Sequence, residues 1–520
     1  MRQCLTSDLG GYYTTNTAST EKDQFGTKGD FVTSPEISQI FGELIGVWVV
    51  AEWMAQGRRS EGVYLMEIGP GRGTLMDDML RTIRNFPPLA KAVEAVYMVE
   101  ASANLRLAQH KLLCGENNSL IENEIGHEST SKHSPDLKII WTEDIRFVPR
   151  EANKTPFIIA HEFFDALPIH VFQSVAPPPA PSPSAQNGKD EGMIQTPTGP
   201  IANPNPTPTA RRLPPKNQWR ELVVSPIPPH RLKEQEPEFE LTMAKSATPH
   251  SMYLPETSPR YQALKSTEGA TIEISPESQA YARDLAERIG GANPAAASKK
   301  KDRQPKTRAA AAAGAGKTVR SAATAAITAT GEALAKPQPS GAALIIDYGP
   351  PSSIPINSLR GIKQHTRVSP FLSAGTTDLS ADVDFLALAE AAINASPGVE
   401  VHGPVSQALF LKAMGIEERA AQLVKRAVDR ERGGGTRGGG VGGGGMGGEG
   451  GEGSEGREGR DKGELTEIVK RVESGWRRLV DGGPQGMGRL YQVMAIVPFT
   501  PPVQGQARRR PVGFGGDVAV

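Results

Sequence analysis

Cysteine is nearly absent from the chain, since Cys4 and Cys114 are the only two among 520 residues. Two cysteines are too few for the disulfide framework of a small secreted domain or for a cysteine-based zinc site. This composition fits a protein kept in a reducing compartment.

Net charge and long apolar runs are also missing. The 58 Lys and Arg residues balance 58 Asp and Glu residues, which gives no support to a nucleic acid or an acidic surface as partner. No apolar stretch reaches the length of a membrane-spanning helix.

The first six residues contain no apolar signal region, and Asp8, Glu21 and Asp23 are unlike a transit peptide. Either nothing precedes this start, or it is an internal Met that has lost a leader.

Aromatic residues make up only 6% of the chain, and its 56 glycines and 43 prolines are crowded into a few tracts. Such tracts cannot bury enough apolar surface to remain ordered. We therefore predict one main core interrupted by disordered insertions. The tract with Gly314–Thr318 resembles a phosphate-binding loop, but Ala311 replaces a required glycine and no strand precedes it, so we do not assign ATP binding.

The clearest positive feature is a strand, a glycine turn and a helix in direct succession. An apolar run, Val63–Ile68, leads into a turn with Gly69, Gly71 and Gly73. Within residues 75–83, apolar side chains recur at helical spacing. Glycine at alternate positions lets the backbone approach a ligand closely. This turn is the first candidate for a cofactor site.

Short apolar runs that end in acidic or glycine loops occur five times. Runs without polar alternation are typical of a parallel sheet covered on both faces, in which ligands bind at the carboxyl ends of the strands. We therefore predict an α/β fold, with a late strand at Tyr491–Val497 closing the sheet at its edge. The five runs are residues 63–68, 95–99, 137–141, 157–160 and 343–346.

A polar loop before the glycine turn introduces an apolar helix. Ser34 is suited to cap this helix and Pro35 to occupy its first position, and an apolar stripe extends from Ile37 to Trp48. The stripe predicts packing against the core. Packing against the core does not explain the polar residues of the loop that precedes this helix.

The spacing of the turn favours S-adenosylmethionine over a dinucleotide. A nicotinamide-binding turn reads G-x-G-x-x-G, whereas this one reads G-x-G-x-G and follows Glu67. Glu67 can hold an ammonium group, and Glu100 at the end of the next strand can accept hydrogen bonds from ribose hydroxyls. A ligand with an ammonium group, a ribose and an adenine but no pyrophosphate fits this pattern. The alternative is a purely structural glycine turn.

A second acidic turn, His161–Pro168, ends the strand at residues 157–160. Glu162 and Asp165 could pair with a guanidinium group, whose planar donors match carboxylates. A carboxylate beside the acceptor nitrogen would favour its attack on a methyl sulfonium. Alternatively, Glu162 caps the strand and Asp165 a helix. His365 with Asp382 and Asp384 is too weak a pattern for a metal site, so we predict no metal ligands.

These motifs, in this order, resemble those of the MidA-type protein arginine methyltransferases, a family of mitochondrial complex I assembly factors. The matching stretches are Gly11–Tyr13, Gly29–Glu36, Glu67–Thr74, Glu162–Pro168 and Gly403–Pro404. The resemblance implies a class I S-adenosylmethionine-dependent methyltransferase fold, Rossmann-like, with a mostly parallel seven-stranded sheet. It places Glu162 and Asp165 at the catalytic, substrate side. The residues expected at the cofactor are Ser34, Glu36, Glu67, Gly69, Pro70, Gly71, Gly73, Thr74, Glu100 and Asp144.

The resemblance further implies symmetric dimethylation of an arginine in a core subunit of complex I, in the mitochondrial matrix. His161 stands where the family usually has Asn, so it receives no family role. Two other readings stay open: a methyltransferase for RNA or a small molecule, and a non-catalytic assembly factor that keeps the cofactor fold. Neutral charge argues against RNA, and the intact Glu67 and glycines argue against decay of the site.

The expected organisation follows from the motifs and the low-complexity tracts. Residues 1–62 would cover the cofactor, and the methyltransferase domain would comprise residues 63–173 and 343–430. Residues 174–342 would form an insertion, disordered at 176–215 and 291–340, with a hairpin and a helix between. A Gly-rich linker (431–463), a helix and edge strand (464–500) and a disordered tail (501–520) would complete the chain.

Overall fold

The computed structural model describes residues 1–7, 9–14, 32–177, 193–202, 216–232, 236–293, 336–434, 454–501 and 509–515. The chain divides into two compact units. The first comprises Met1–Pro168, Lys233–Glu238 and Ser275–Val520, and the second comprises Ile169–Leu232 and Phe239–Ile274. The predicted insertion at residues 174–342 has other bounds than this second unit, and it stays a prediction. The second unit is shorter because the helix Pro276–Gly290 buries its apolar face in the core of the first unit.

The strands are numbered in chain order. They are β1 Val63–Ile68, β2 Val93–Val99, β3 Ile121–Asn123, β4 Gly126–Thr130, β5 Lys138–Thr142, β6 Thr155–His161, β7 His170–Val175, β8 Met193–Thr196, β9 Gly199–Ala202, β10 Gln218–Pro226, β11 Phe239–Met243, β12 Thr271–Ile274, β13 Ala342–Tyr348, β14 Arg360–Lys363, β15 Thr366–Val368, β16 Asp378–Ser380, β17 Val399–Ser406 and β18 Tyr491–Pro498.

The described residues also form α-helices and single 3-10 turns. The α-helices are Arg2–Thr6, Ser34–Ile37, Gln39–Ala55, Thr74–Ile83, Pro87–Ala92, Ala103–Cys114, Pro249–Tyr253, Pro259–Leu264, Pro276–Gly290, Phe385–Ala395, Gln407–Ala413, Ile416–Gly434, Ser454–Leu479 and Met487–Leu490. The 3-10 turns are Ile145–Phe147, Phe164–Ala166, Pro229–Arg231 and Leu254–Glu256.

The main sheet of the first unit has the order β17-β18-β13-β6-β1-β2-β5-β4-β3. The five strands β13, β6, β1, β2 and β5 run parallel, and antiparallel strands flank them on both sides. The predicted α/β class is confirmed, and the hairpin β3–β4 extends the sheet beyond the seven strands expected. The prediction that Tyr491–Val497 forms the edge was wrong, because β17 pairs with its free side.

Both faces of the sheet are buried, which explains the unbroken apolar runs in the sequence. Val63 and Leu65 of β1 pack on one face against the helices Gln39–Ala55 and Thr74–Ile83. Tyr64, Met66 and Ile68 pack on the other face against the helices Pro276–Gly290 and Phe385–Ala395. Burial of alternate residues on opposite faces is what a covered parallel strand requires.

The helix predicted from Ser34 onward is two helices with a break between them. A single turn, Ser34–Ile37, is followed by Ser38 in an extended conformation, and the hydroxyl of Ser38 accepts the N–H of Ile40 at the start of Gln39–Ala55. The prediction that Ser34 caps the long helix was therefore wrong, because Ser38 is its cap. The break leaves residues 34–36 as a separate segment beside the glycine turn.

Several segments predicted to be disordered contain ordered parts. Lys336 is buried, and its ammonium group donates to the carbonyls of Lys154, Arg288 and Ser340. In the predicted tail, Phe514 packs against Phe410. The Gly-rich linker is helical at both margins, residues 431–434 and 454–463, and residues 193–202 form the hairpin β8–β9. The remaining parts of these predictions, with Gly314–Thr318, lie outside the described residues.

The second unit is built on a four-stranded antiparallel sheet of order β11-β10-β7-β12. Its strands β7 and β10 pair in antiparallel register, with Phe172 opposite Glu221. None of the helices within the described ranges is long and apolar enough to cross a membrane.

Candidate active site at the carboxyl ends of the parallel strands

A cavity of about 830 Å³ opens where β1, β2, β6 and β13 end in the first unit. Both turns identified in the sequence contribute to its walls. From the predicted set, Glu36, Glu67, Gly69, Pro70, Gly71, Thr74, Glu100, Asp144, Glu162 and Asp165 line it. Gly73 and Ser34 do not line it and lie directly beside residues that do.

The glycine turn follows β1 with three left-handed residues. Gly69, Gly71 and Gly73 have φ values of 66°, 52° and 84°, which side chains other than glycine rarely adopt. A Cβ atom on Gly69 would come within 2.8 Å of Cδ2 of Phe163, in the second turn. The two predicted half-sites are therefore in contact, and glycine at position 69 is required for that contact.

Glu67 presents an unsatisfied buried carboxylate oxygen. The residue is 3% exposed, and within the described ranges its Oε2 atom has no hydrogen-bond partner. Burial, followed by the proximity of Glu100, raises its pKa to about 8. A buried acceptor without a donor is costly unless a ligand supplies one. An ammonium group on a bound ligand would satisfy this oxygen.

Glu100 is held rigidly at the end of β2. Its Oε1 atom accepts the N–H of Ser102 at 2.8 Å, and its Oε2 atom accepts Nε2 of Gln109 at 3.3 Å. Gln109 also donates to the carbonyl of Gly71 at 2.6 Å and so connects Glu100 to the glycine turn. Burial raises the pKa of Glu100 to about 7. Sequence analysis missed Gln109, because nothing in the sequence relates position 109 to position 71.

The segment Ser34–Ile37 connects both turns. Glu36 accepts a hydrogen bond from Oγ1 of Thr74 at 3.1 Å and from Nη1 of Arg72 at 3.2 Å. The backbone N–H of Ser34 faces the carboxyl group of Glu162 and acts to lower the pKa of that group, against the larger effect of burial. Asp144 also borders the cavity, but both of its carboxylate oxygens accept hydrogen bonds from Arg146.

The acidic turn after β6 is organised by Asp347, a fully buried residue at the end of β13. Its Oδ2 atom accepts three consecutive backbone N–H groups, those of Phe163 at 3.1 Å, Phe164 at 2.8 Å and Asp165 at 3.4 Å. Glu162, just before them, has φ +49°, a left-handed conformation that is unfavourable for a residue with a side chain. Asp347 directly follows the apolar run 343–346 that the sequence analysis identified, but it was not assigned a role there. The signal for this role is that β13 ends beside the end of β6, where Ile346 pairs with His161.

Glu162 carries the carboxylate best placed for an incoming cation. Tyr491 hydrogen-bonds to this carboxylate, and the hydroxyls of Tyr491 and Tyr348 are 2.6 Å apart. Burial raises the pKa of Glu162 to about 8. Nε2 of His161 lies 3.4 Å from Oε1 of Glu162, and burial lowers the pKa of His161 to about 3. His161 is therefore a neutral neighbour at physiological pH.

Asp165 is more enclosed than Glu162. Its Oδ2 atom accepts the hydroxyl of Ser380 at 2.9 Å, and burial raises its pKa although Arg360 acts in the opposite direction. Arg360 pairs with Asp382, and its guanidinium lies 5.4 Å from the centre of the Tyr348 ring. Sequence analysis did not identify Tyr348, Tyr491 or Arg360, because they join the site only through the sheet and the β14–β16 segment.

The structure does not bring His365, Asp382 and Asp384 together as metal ligands. Asp382 pairs with Arg360, and Asp384 accepts the N–H of Ala387 at the start of the helix Phe385–Ala395. His365 is exposed at the turn between β14 and β15. The three side chains have separate structural surroundings.

Comparison with known proteins agrees with this geometry. Residues 44–405 match the model of a family of S-adenosyl-L-methionine-dependent methyltransferases. The chain is 30% identical over 436 residues to the Xenopus laevis protein named protein arginine methyltransferase NDUFAF7, mitochondrial, covering 82% of this chain and 72% of that one. The Homo sapiens protein of that name is 30% identical over 431 residues, covering 82% and 71%.

The fold has a solved counterpart. A Burkholderia thailandensis protein, described as a methyl transferase and bound to S-adenosyl-homocysteine, superposes with a TM-score of 0.53 at 18% identity. The match covers 95% of this chain and 86% of the other. This likeness concerns the fold alone.

The sheet and the glycine turn define a class I methyltransferase fold. The chain belongs to the family of S-adenosyl-L-methionine-dependent methyltransferases. The residues present fit that cofactor, because Glu67 offers a buried carboxylate oxygen without a partner among the described residues, in a cavity that Gly69 and Gly71 also line.

Proposed function

We propose that this protein is an arginine methyltransferase acting on a protein substrate in the mitochondrial matrix. In full, the proposal is symmetric dimethylation of an arginine in a core subunit of complex I, in support of the assembly of that complex. The curated relatives, named mitochondrial protein arginine methyltransferases, support the substrate class and the compartment. The observation that carries the proposal is the contact between the glycine turn and the acidic turn in one cavity.

The donor side is formed by Glu67, Glu100 and the glycine turn. Glu67 would bind the ammonium group, Glu100 the ribose, and the backbone at Gly69–Gly73 would lie against the ligand. When bound, S-adenosylmethionine supplies a methyl group on a sulfonium, open to in-line displacement. The segment Ser34–Ile37 would restrict the access of water through the contacts of Glu36 with Arg72 and Thr74.

The acceptor side is formed by Glu162, with Asp165 beside it. A free guanidinium stays protonated at physiological pH, so its nitrogens are poor nucleophiles. A guanidinium entering next to Glu162 would draw that carboxyl into its ionised form and bind it through charge-assisted hydrogen bonds. The carboxylate would hold the positive charge away from the attacking nitrogen and fix its direction of attack. Tyr348 and Tyr491 would keep Glu162 in place.

The test is methyl transfer by the full chain, incubated with labelled S-adenosylmethionine and mitochondrial protein extract. Mass spectrometry would locate the methyl groups, and we expect symmetric dimethylarginine on a complex I subunit. Glu162→Gln should lower turnover at least about a hundredfold, because the neutral amide cannot form an ion pair with the guanidinium. The affinity for S-adenosylhomocysteine should change little in this variant. Glu61→Gln, in an exposed loop, is the matched control and should leave both unchanged.

Other results would select the alternatives. Label found on RNA or on small molecules, with unmodified arginine, would replace the proposed substrate and keep the methyltransferase activity. Cofactor binding without any transfer would favour a non-catalytic assembly factor. If Glu162→Gln turned over at the rate of the unaltered protein, the assignment of Glu162 would be wrong.

A further inference from the structure

Two histidines and a glutamate converge in the second unit. Nδ1 of His170 lies 2.8 Å from Oε1 of Glu221, and Nδ1 of His250 lies 3.7 Å from the same oxygen. The two imidazole rings are 4.3 Å apart between centroids. All three candidate ligand atoms lie within 4.8 Å of one another. This arrangement brings two soft nitrogen donors to one carboxylate oxygen.

The antiparallel sheet positions two of the three residues. Glu221 of β10 pairs with Phe172 of β7, so their side chains lie on the same face. His170, two residues before Phe172 on β7, shares that face, and its ring stacks on the Phe172 ring. His170 and Glu221 are thus diagonal neighbours on a rigid support.

The third residue comes from a short helix that is attached to the same glutamate. His250 lies in Pro249–Tyr253, and Thr248 caps this helix by accepting the N–H of Ser251. The hydroxyl of Thr248 donates to Oε2 of Glu221 at 2.5 Å. One oxygen of Glu221 is therefore fixed by Thr248, and the other faces both histidines. Oriented carboxylates and a fixing hydrogen bond of this kind are common around protein-bound metals.

A hydrogen-bonded pair explains only part of this geometry. One imidazole N–H can donate to Oε1 of Glu221 across 2.8 Å, but the contact of His250 at 3.7 Å is too long for a hydrogen bond. Two protonated imidazoles at this spacing would repel each other. In a tetrahedral zinc site, ligand atoms at about 2.0–2.1 Å from the ion are about 3.3 Å apart. Small side-chain rotations would bring the three atoms to that spacing.

We propose that His170, Glu221 and His250 bind a divalent transition metal, Zn²⁺, with a fourth position open to water. Histidine and carboxylate are ligand types that Zn²⁺ uses, and three protein ligands leave one position free. The side chain of Glu221 is 9% exposed and that of His250 is 56% exposed, so the site is anchored on the sheet and accessible from solvent. The ion would connect the helix Pro249–Tyr253 to β7 and β10.

The test is a Zn²⁺ titration of the chelator-treated full chain by calorimetry. We expect one equivalent to bind at micromolar concentration or below and to raise the midpoint of thermal unfolding. His250→Ala should weaken binding at least about tenfold, as loss of a ligand does. Since His250 is largely exposed, this variant should still fold, and Glu221→Gln tests the anchored ligand. His230→Ala, an exposed histidine of the same unit, is the matched control.

Substitution with Co²⁺ provides a spectroscopic readout of the ligand geometry. We expect intense visible bands of a tetrahedral complex, lost in His250→Ala and retained in His230→Ala. The proposal is overturned if the full chain binds no Zn²⁺ at 100-fold excess. It is equally overturned if His250→Ala and Glu221→Gln bind as tightly as the unaltered protein, because the ion would then lie elsewhere.

Discussion

The two turns that form the site both contain residues in the left-handed backbone conformation, but the types of these residues differ. The turn after β1 becomes left-handed at Gly69, Gly71 and Gly73, where no side chain opposes that conformation. The turn after β6 becomes left-handed at Glu162, where a side chain is present. In the first turn, glycine itself permits the left-handed conformation. The second needs a partner that stabilises it.

Asp347 is that partner. Its carboxylate accepts the N–H groups of Phe163, Phe164 and Asp165 on one oxygen and the N–H of Tyr348 on the other. A left-handed residue other than glycine costs on the order of 1–3 kcal/mol, which several hydrogen bonds to one buried carboxyl group can offset. The left-handed backbone of the glycine turn is therefore specified by its own residues, whereas that of the acidic turn depends on a residue 182 positions from Asp165.

The largest effect is expected at Gly69, where the two turns touch. Gly69→Ala would place its Cβ within 2.8 Å of Phe163 and force one turn to move. We expect the affinity for S-adenosylhomocysteine to fall about a hundredfold, since displacements of about 1 Å in such sites have effects of this size. Isothermal titration calorimetry would measure it.

Gly57→Ala is the matched control for this change. Gly57 also has a left-handed backbone, with φ 93°, but its Cβ would meet nothing within 4 Å. Both variants carry the backbone strain, and only Gly69→Ala carries the clash. Equal losses of affinity in the two variants would mean that strain alone acts and that the contact between the turns is unimportant.

Asp347→Asn should affect the acceptor side selectively. An amide has one acceptor oxygen, so either Tyr348 or the three N–H groups of the turn would face an NH₂ group. We expect turnover to fall about tenfold and the free energy of unfolding to fall by about 2 kcal/mol. The affinity for S-adenosylhomocysteine should change less than about threefold. A loss of affinity equal to the loss of turnover would show that the two turns are one unit.

Asp384→Asn serves as the control for Asp347→Asn. Asp384 also accepts a backbone N–H, that of Ala387 at a helix start, but Asn caps helices about as well as Asp. Its turnover and unfolding free energy should stay near those of the unaltered protein.

The difference between the turns also explains what the sequence could and could not predict. The glycine turn and Glu67 are contiguous, so spacing alone predicted a cofactor site, and apolar runs predicted the parallel sheet. The order of the sheet edge was not predictable, because β18 pairs with β17 and with β13 across roughly 90 and 150 residues of sequence, respectively. Asp347 and Tyr491 join the site through such strand pairing, and Gln109 joins it through side-chain hydrogen bonds from a helix.

Local signals were misleading in two places. Ser34 and Pro35 resemble a helix start, but the long helix begins after Ser38 because residues 34–37 turn toward the two site turns. Residues 501–520 were predicted to be a disordered tail, yet the carbonyl of Val512 accepts the indole N–H of Trp48 and Phe514 contacts Phe410. Arg509 also pairs with the buried Glu52, so several distant contacts hold residues 509–515.

The donor side should show a pH dependence that follows from Glu67. Burial raises the pKa of Glu67 to about 8, so the ligand-free protein holds this carboxyl protonated at neutral pH. An ammonium group favours the ionised form, so the affinity for S-adenosylhomocysteine should rise about fifteenfold from pH 6.5 to pH 8, in proportion to the ionised fraction of Glu67. Glu67→Gln should bind more weakly and lose this dependence. A flat profile in the unaltered protein would contradict the role of Glu67.

With rising pH, the unfolding free energy of the ligand-free protein should change in the direction opposite to the change in ligand affinity. The unfolded chain loses the proton of a glutamate near its ordinary pKa, whereas native Glu67, Glu100 and Glu162 keep theirs up to about pH 7–8. The native state therefore binds more protons between about pH 4.5 and pH 8, and the unfolding free energy of the ligand-free protein should decrease across that interval. Thermal unfolding in this range, with and without S-adenosylhomocysteine, would separate the two trends.

The smallest effect is expected where the covering segment meets the glycine turn. Glu36→Gln keeps an acceptor for either Thr74 or Arg72 but loses the ion pair with Arg72, which is partly exposed. We expect the affinity for S-adenosylhomocysteine to fall about twofold to threefold. A double-mutant cycle with Thr74→Val would isolate the contact, with a coupling of about 0.5 kcal/mol. Zero coupling would mean that the hydrogen bond between Glu36 and Thr74 does not hold residues 34–37 against the glycine turn.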